Sequence, residues 1–271
     1  MDLNAIKQRL NAMQQKPGKK NSGEDRKKFF WKPSVGKQVI RIVPSAFDKT
    51  NPFKELYFHY GIGNRTMISP MNFGDKDPIV EFAKQLRQSQ DKENWKLAKK
   101  LDPKMRIFAP VIVRGEEHLG VRLWEFGKEI YLEFLSLADD EDIGDYTDIY
   151  EGRDITVDTV GPDVTGTAYN KSSIRVKTKQ SNLTEDKETA KKWLAEQPDP
   201  TELYKRYEFD EMKRLLQEWL NPEEAAPAST VEAEEEEEIV QPVKPNYALT
   251  PKESKVDKFD SLFGDDDDLP F

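Results

Sequence analysis

Apolar periodicity stops at Pro222, and that limit does most to constrain what this chain of 271 residues can fold into. Beyond it, Ala, Pro, Ser and Thr surround a glutamate run, Glu234–Glu238, and residues 221–271 carry 15 Asp/Glu against 4 Lys/Arg, a net −11. Such a segment cannot bury enough apolar surface to offset the entropy of ordering it. We therefore expect a disordered acidic tail over 221–271, relieved only by Phe259, Leu262 and Phe263, which can form a short binding segment. Any packed core must come from the first 220 residues.

Those residues hold 38 basic and 36 acidic side chains, and 1–41 alone holds 11 Lys/Arg against 3 Asp/Glu. A basic head, a balanced body and an acidic tail follow one another along the chain. The head favours a polyanion and the tail competes with it. Hydrophobic content of 36% against 34% charged, with a mean hydropathy of −0.82, is too polar for one globule of this length. No apolar run is long enough to span a bilayer, and residues 1–20 lack the apolar stretch of a signal peptide. The absence of cysteine excludes disulfides, thiol catalysis and cysteine-bound zinc. We expect a soluble, cytoplasmic protein.

The final residues, Asp265-Asp266-Asp267-Asp268-Leu269-Pro270-Phe271, pair four carboxylates with an apolar ending. Leu269 and Phe271 suit an apolar pocket on a partner, while the aspartates and the terminal carboxylate suit basic residues around it. This ending resembles the acidic tip of bacterial single-stranded DNA-binding proteins, which implies recruitment of replication and repair enzymes.

At the other end, Leu3, Ile6, Leu10 and Met13 recur at spacings of three and four, predicting a short amphipathic helix over 2–15. Lys16-Pro17-Gly18 ends it, and a basic linker with Lys19 and Lys20 leads to Phe29-Phe30-Trp31. Alone, so short a helix is marginal in water, so its stripe needs a partner. Three parts result: a basic arm over 1–28 for self-association (Leu3, Ile6, Lys7, Arg9, Leu10, Lys19, Lys20), a core over 29–220, and the tail.

In the core, Val39–Val43 is a short apolar run ending at Pro44, and Leu56, Phe58, Tyr60 and Ile62 alternate as in a half-buried strand. Helices are predicted over 78–90, 128–138, 184–196 and 202–220, and strands over 105–114, 119–126, 153–160 and 173–179. The second and third of these strands are separated by the 128–138 helix; the first two form a hairpin through Gly115-Glu116-Glu117-His118. A Gly/Pro/Thr-rich loop holding Tyr169 joins the last two. Pro110 lacks the N–H a ladder needs, which predicts an edge or a bulge there. The fold class is α+β.

Alternation gives the candidate site. Ile107, Ala109, Val111 and Val113 share one face, opposite Arg106, Phe108 and Arg114. Leu119, Val121 and Leu123 oppose Arg122, Trp124 and Phe126, and Ile174 and Val176 oppose Arg175, Lys177 and Lys179. An apolar inner face and a cationic, aromatic outer face suit unpaired nucleic acid, since cations neutralise phosphates and rings stack on bases at roughly 1–3 kcal/mol each. Lys96, Lys99, Lys100 and Lys104, with Trp95, add basic density before the first of these strands. Lys128, Tyr169 and Lys171 complete the predicted set.

Other chemistry fares worse. Asp139, Asp140, Glu141, Asp142, Asp145 and Asp148 fail calcium-loop spacing, because Gly144 occupies a ligand position and Asp145 replaces the required glycine. A two-metal nuclease draws carboxylates from separate elements rather than from one loop. His59 is read as structural. No nucleophile, base and orienter come together, so an enzyme is not expected, and no cofactor or metal is implied.

The body resembles the replication single-stranded DNA-binding proteins of T-even-type tailed phages. The resemblance is carried by Val39-Ile40-Arg41-Ile42-Val43-Pro44-Ser45, Asn51-Pro52-Phe53, Phe58-His59-Tyr60-Gly61, Phe108-Ala109-Pro110-Val111-Ile112-Val113 and Trp124-Glu125-Phe126-Gly127-Lys128, over most of 1–180. It implies an OB-fold-like β-barrel core with flanking helices, an arm for head-to-tail cooperativity on DNA and a partner-binding tail in an infected bacterial host. It also implies that Phe108 and Trp124 stand near the DNA cleft, whereas Ile107 replaces a family tyrosine. His59 matches a zinc-binding histidine, but the three cysteine positions around Ile68–Glu81 hold none. Packing of Met67, Ile68, Met71, Phe73, Ile79 and Phe82 is the expected substitute. The resulting expectation is a protein that coats single-stranded DNA in replication, recombination and repair; an RNA-binding or partner-binding replisome scaffold is the alternative.

Overall fold

The structure, a computed structural model, describes residues 28–89 and 91–221; the arm up to Lys27 and the tail from Pro222 lie outside the described residues. Eight strands form one mixed sheet: β1 (Phe30–Trp31), β2 (Gly36–Ile42), β3 (Lys54–Ile62), β4 (Arg65–Ile68), β5 (Lys104–Val113), β6 (Arg122–Phe126), β7 (Arg153–Val160) and β8 (Lys171–Gln180). The order is β1-β6-β5-β2-β7-β8, with β3 and β4 branching from β5. All pairings are antiparallel except β1 with β6. Six helices accompany it among the described residues: α1 (Pro78–Gln88), α2 (Lys92–Leu101), α3 (Lys128–Ala138), α4 (Pro162–Thr165), α5 (Lys187–Ala195) and α6 (Phe209–Leu220).

Strand β5 organises the sheet. One side pairs with β6 through residues 107–111, while the other pairs first with β3 (104–108) and then with β2 (111–113). Pro110 is therefore central, neither at an edge nor in a bulge. Its carbonyl accepts from Val43 N on the β2 side, at 2.9 Å, so its nitrogen faces that side too, where β3 has ended and β2 has yet to begin pairing. The proline costs the ladder nothing because it sits at the changeover between two neighbours.

Ile107, Ala109, Val111 and Val113 do share a face. They pack with Trp31, Ile40, Ile42, Phe53, Trp124, Phe126, Ile155 and Val157, and α3 covers them with Tyr131 and Phe134. A second cluster joins α1, α2 and α6 to the β3–β4 hairpin through Ile62, Met67, Ile79, Phe82, Leu86, Leu101, Met212 and Leu216. Asp77 caps α1, accepting from Ile79 N and Val80 N ahead of Pro78, and Asp91 and Asp186 cap α2 and α5. Each cap is worth about 1 kcal/mol.

The last helix starts at Phe209, seven residues later than periodicity predicts. Thr201 donates through both N and Oγ1 to Asp199, which sets a turn, and the following stretch lays Leu203 and Tyr204 against Phe58 and Phe108 instead.

Candidate nucleic-acid interface

On β8, the last strand of the order, Lys171, Ser173 and Arg175 point one way and are exposed, Ile174 and Val176 pack on the main core, and Lys177 and Lys179 are exposed beyond them. Alternate residues of a strand lie roughly 6.8 Å apart, so Lys171 and Arg175 stand roughly 14 Å apart, and Lys177 and Lys179 follow where the β7–β8 ladder shifts register. None of the four joins the ion pairs of the described residues. The neighbouring strand places Thr156 beside Arg175 and Asp158 beside Ser173, and β2 adds Lys37 opposite Asp158, their charges 3.7 Å apart. Lys37 is absent from the sequence-derived set because only cross-strand pairing brings it here. Past the end of β7, the loop containing α4 exposes Val164 and Tyr169, the latter 69% accessible.

A second basic group lies on α2. Trp95 is half-exposed, Lys99 Nζ stands 5.7 Å from its ring centre, and Lys96 pairs with Glu93 at 2.8 Å. Lys100 is exposed in the last turn beside Lys99, where cations also favour the helix C-terminus. Lys104 is exposed at the start of β5, and Lys128 at the start of α3. Arg106 contacts the Tyr60 hydroxyl at 3.4 Å, lies 5.7 Å from the Tyr60 ring centre, and approaches Glu125 at 3.5 Å.

The expected outward turn of Phe108 and Trp124 is overturned: both are essentially inaccessible. Phe108 packs with Leu56, Phe58, Ile68 and Leu123 beneath Phe30, Leu203 and Tyr204. Register pairs Trp124 with Ala109 and Phe126 with Ile107, so the β6 face read as outer is the one that enters the main core. Leu123 and Val121 belong to the opposite face, itself covered by Tyr204 and by Leu183 and Trp193. Leu119 lies off the strand in a 3-10 turn, half-exposed. A sheet buried on both faces has two apolar sides, and alternation cannot tell which is the core.

Two predicted cations are also engaged elsewhere. Arg114 and the fully buried Arg41 share Asp154, with Nη2 and Nε at 2.9 and 3.0 Å from Oδ1. Arg114 further donates to the Leu183 carbonyl, and Arg41 to Ser181. Burial lowers the Arg41 pKa from its ordinary value, against the opposing pull of Asp154. Arg122 is buried and paired with Glu116. These three hold the sheet to the segment around 181–183 and to the β5–β6 connection.

His59 is buried between a carbonyl and a carboxylate: Nδ1 donates to Leu101 O at 3.0 Å and Nε2 lies 2.8 Å from Asp77 Oδ2. Ser69 Oγ donates to the same carboxylate oxygen at 2.5 Å. Burial raises the Asp77 pKa, yet hydrogen bonds from His59, Ser69 and Val80 N, with the His59 charge, outweigh it and leave the group below the ordinary carboxylate range. Of the six residues expected to replace a metal site by packing, Met67, Ile79 and Phe82 enter the helical cluster. Ile68 and Phe73 join the Phe108 cluster, and Met71 is half-exposed. In the acidic loop after α3, Asp140, Asp145 and Asp148 accept from backbone N–H groups two or three residues ahead. Among the described residues, no three His, Asp or Glu are grouped to hold a metal ion, and no helix is long and apolar enough to cross a membrane.

The self-association residues of the arm and the partner-binding residues of the tip lie outside the described residues. Comparison with known families matches residues 34–221 to the model described as gp32 DNA binding protein like. The matched range takes in both packed clusters apart from Trp31 and extends past residue 180 to the end of α6. No curated protein matches the chain.

Proposed function

The chain belongs to the gp32 DNA-binding-protein-like family, non-enzymatic proteins that bind single-stranded DNA, and from there we propose how it does so. It coats the strand cooperatively and without sequence preference during phage replication, recombination and repair. The sheet acts as an OB-fold-like barrel that presents its open β7–β8 face to the strand. Lys171, Arg175, Lys177 and Lys179 neutralise phosphates, and Tyr169 supplies a ring for stacking. The α2 group (Trp95, Lys96, Lys99, Lys100), with Lys104, Arg106 and Lys128, extends the basic track. Phe108 and Trp124 support this surface from within. The observation that carries the reading is the group of exposed cations on β8, Lys171, Arg175, Lys177 and Lys179, which no other described segment covers.

The arm links neighbouring molecules, and the tail competes for the basic face until DNA displaces it. The tip then binds replication, recombination and repair enzymes through Leu269, Pro270 and Phe271 in an apolar pocket and through Asp265, Asp266, Asp267 and Asp268 on basic residues. Titration of poly-dT at two salt concentrations tests the DNA part. The four β8 cations alone give a slope of log affinity on log salt of about −3 for a single strand, and each further contact from the α2 group steepens it by about 0.7. Binding that ignores salt, or that favours duplex over melted oligonucleotides, refutes it.

A further inference from the structure

The connection from β7 to β8 ends in an apolar tip. Among the described residues, three of the four most exposed large hydrophobic side chains meet there: Val164 at 71%, Tyr169, and Val35 at 63% from the lead-in to β2. Single exposed residues of this kind are ordinary, but a cluster marks a contact surface. Hydrogen bonds hold the tip in shape. Gly161 O accepts from Val164 N and Thr165 N, both at 3.1 Å, and Gly166 N donates to Pro162 O at 2.9 Å. The hydroxyls of Thr165 and Thr167 lie 2.8 Å apart, and Thr167 Oγ1 donates to the Tyr169 carbonyl.

Register puts this tip on the cation face. Val160, also exposed, lies directly opposite Lys171, so the two share a side of the sheet with Ser173 and Arg175. Gly36 pairs with Thr159, which brings Val35 beside Val160, and a Cβ placed on Gly161 would stand 3.6 Å from Val35 Cγ2. The apolar surface therefore continues the basic one past its end. Charge stops there, since residues 161–170 hold no Lys or Arg and one acid, Asp163. A phosphate backbone followed along β8 loses its counter-charges after Lys171 and meets aliphatic side chains. Valines supply no ring to stack between unpaired bases, but they pack against a flat apolar face. The end of a duplex presents such a face, with its phosphates at the rim. We propose that the β7–β8 tip seats the terminal base pair where single-stranded DNA runs into duplex. Val35, Val160 and Val164 lie against the exposed pair, Tyr169 takes the first unpaired base, and Lys171 the first unpaired phosphate. The last molecule of a coat then stands flush with the duplex and leaves no bare strand at the junction. The tip occupies one end of β8 only, so the seat accepts one strand polarity. The inference rests on the reading of β8 as the DNA track.

The test uses full-length protein and three ligands: an oligo-dT long enough for one molecule, and the same oligo-dT carried as a 5′ or as a 3′ tail on a hairpin stem. One tailed stem should bind about tenfold, or about 1.4 kcal/mol, more tightly than the other. Comparing the two polarities cancels the charge that the stem adds. Val35→Ser with Val164→Ser, both outside the core, should erase that preference and leave the free oligo-dT within about twofold. Val35→Ile with Val164→Ile should keep it, because the tip stays apolar. Arg175→Ala should weaken all three ligands alike and leave the preference in place. Equal affinity for the two tailed stems, or a preference that survives the serines, overturns the proposal. Failure of the unaltered protein to bind the free oligo-dT would instead remove the reading of β8 as the DNA track.

Discussion

Nε2 of His59 lies 2.8 Å from Oδ2 of Asp77, and both side chains are almost wholly inaccessible. The contact ties β3 to the capping residue of α1, while Nδ1 reaches the last residue of α2, so one imidazole joins three elements. His59 thus contacts both neighbouring elements directly through side-chain nitrogens. Breaking a buried pair by removing one partner costs about 3–5 kcal/mol, since the other is left buried and unmatched. His59→Ala and Asp77→Ala should each lower the unfolding free energy read from urea melts by that amount. The double variant should cost clearly less than the sum, which a double-mutant cycle reads directly. Chelator should leave the midpoint unchanged, and stoichiometric zinc in the purified protein would contradict this account.

The cations of β8 and those buried within the sheet should behave differently. Lys177→Ala and Arg175→Ala each remove a phosphate contact, so affinity should fall equally for all sequences and the salt slope should shrink by about 0.7. Arg114→Ala removes a partner of Asp154 and a bond to the Leu183 carbonyl, and should appear mainly as lost stability. Salt-dependent titrations and urea melts of the same three variants separate the two outcomes. A reduced salt slope for Arg114→Ala at unchanged stability would reassign it to the DNA surface.

Fluorescence distinguishes the two tryptophans expected at the site. Trp95 is half-exposed among lysines, whereas Trp124 is buried edge-on against Trp31, ring centres 5.3 Å apart. Trp95→Phe should remove most of the quenching on poly-dT binding and leave the urea midpoint in place. Trp124→Ala should cost about 3–5 kcal/mol through the cavity it opens. Quenching that survives Trp95→Phe would exclude α2 from the interface.

These contrasts follow what the sequence could carry. The outer face of β8 was legible because water covers it, so Arg175, Lys177 and Lys179 reveal their side by being charged. Helix α3 was legible to the residue. The faces of β6 were not, because Leu123 and Trp124 are both apolar and both buried, and only the pairing of Trp124 with Ala109 decides which enters the core. Pro110 misled for a related reason: whether a missing N–H matters depends on which strand lies beside it, and two strands change places there. The pairing of Arg114 and Arg41 with Asp154 was hidden too, since it joins residues as many as 113 positions apart.

The acidic tail gives the last prediction. Its net −11 and the exposed cations of β8 belong to one chain, so if the tail competes for that face, as proposed, it does so at an effective concentration that no dilution lowers. Removing 221–271 should raise affinity for a short oligo-dT several-fold at low salt. The advantage should fade toward 1 M salt, where the Debye length shrinks to about 3 Å and long-range attraction is screened. Phe271→Ala keeps the charge and should leave DNA affinity as it is, while abolishing recruitment of any enzyme that reads the tip. Equal affinities for the truncated and full-length proteins at low salt would mean that the tail never meets the basic face, and its charge would then serve the partners alone.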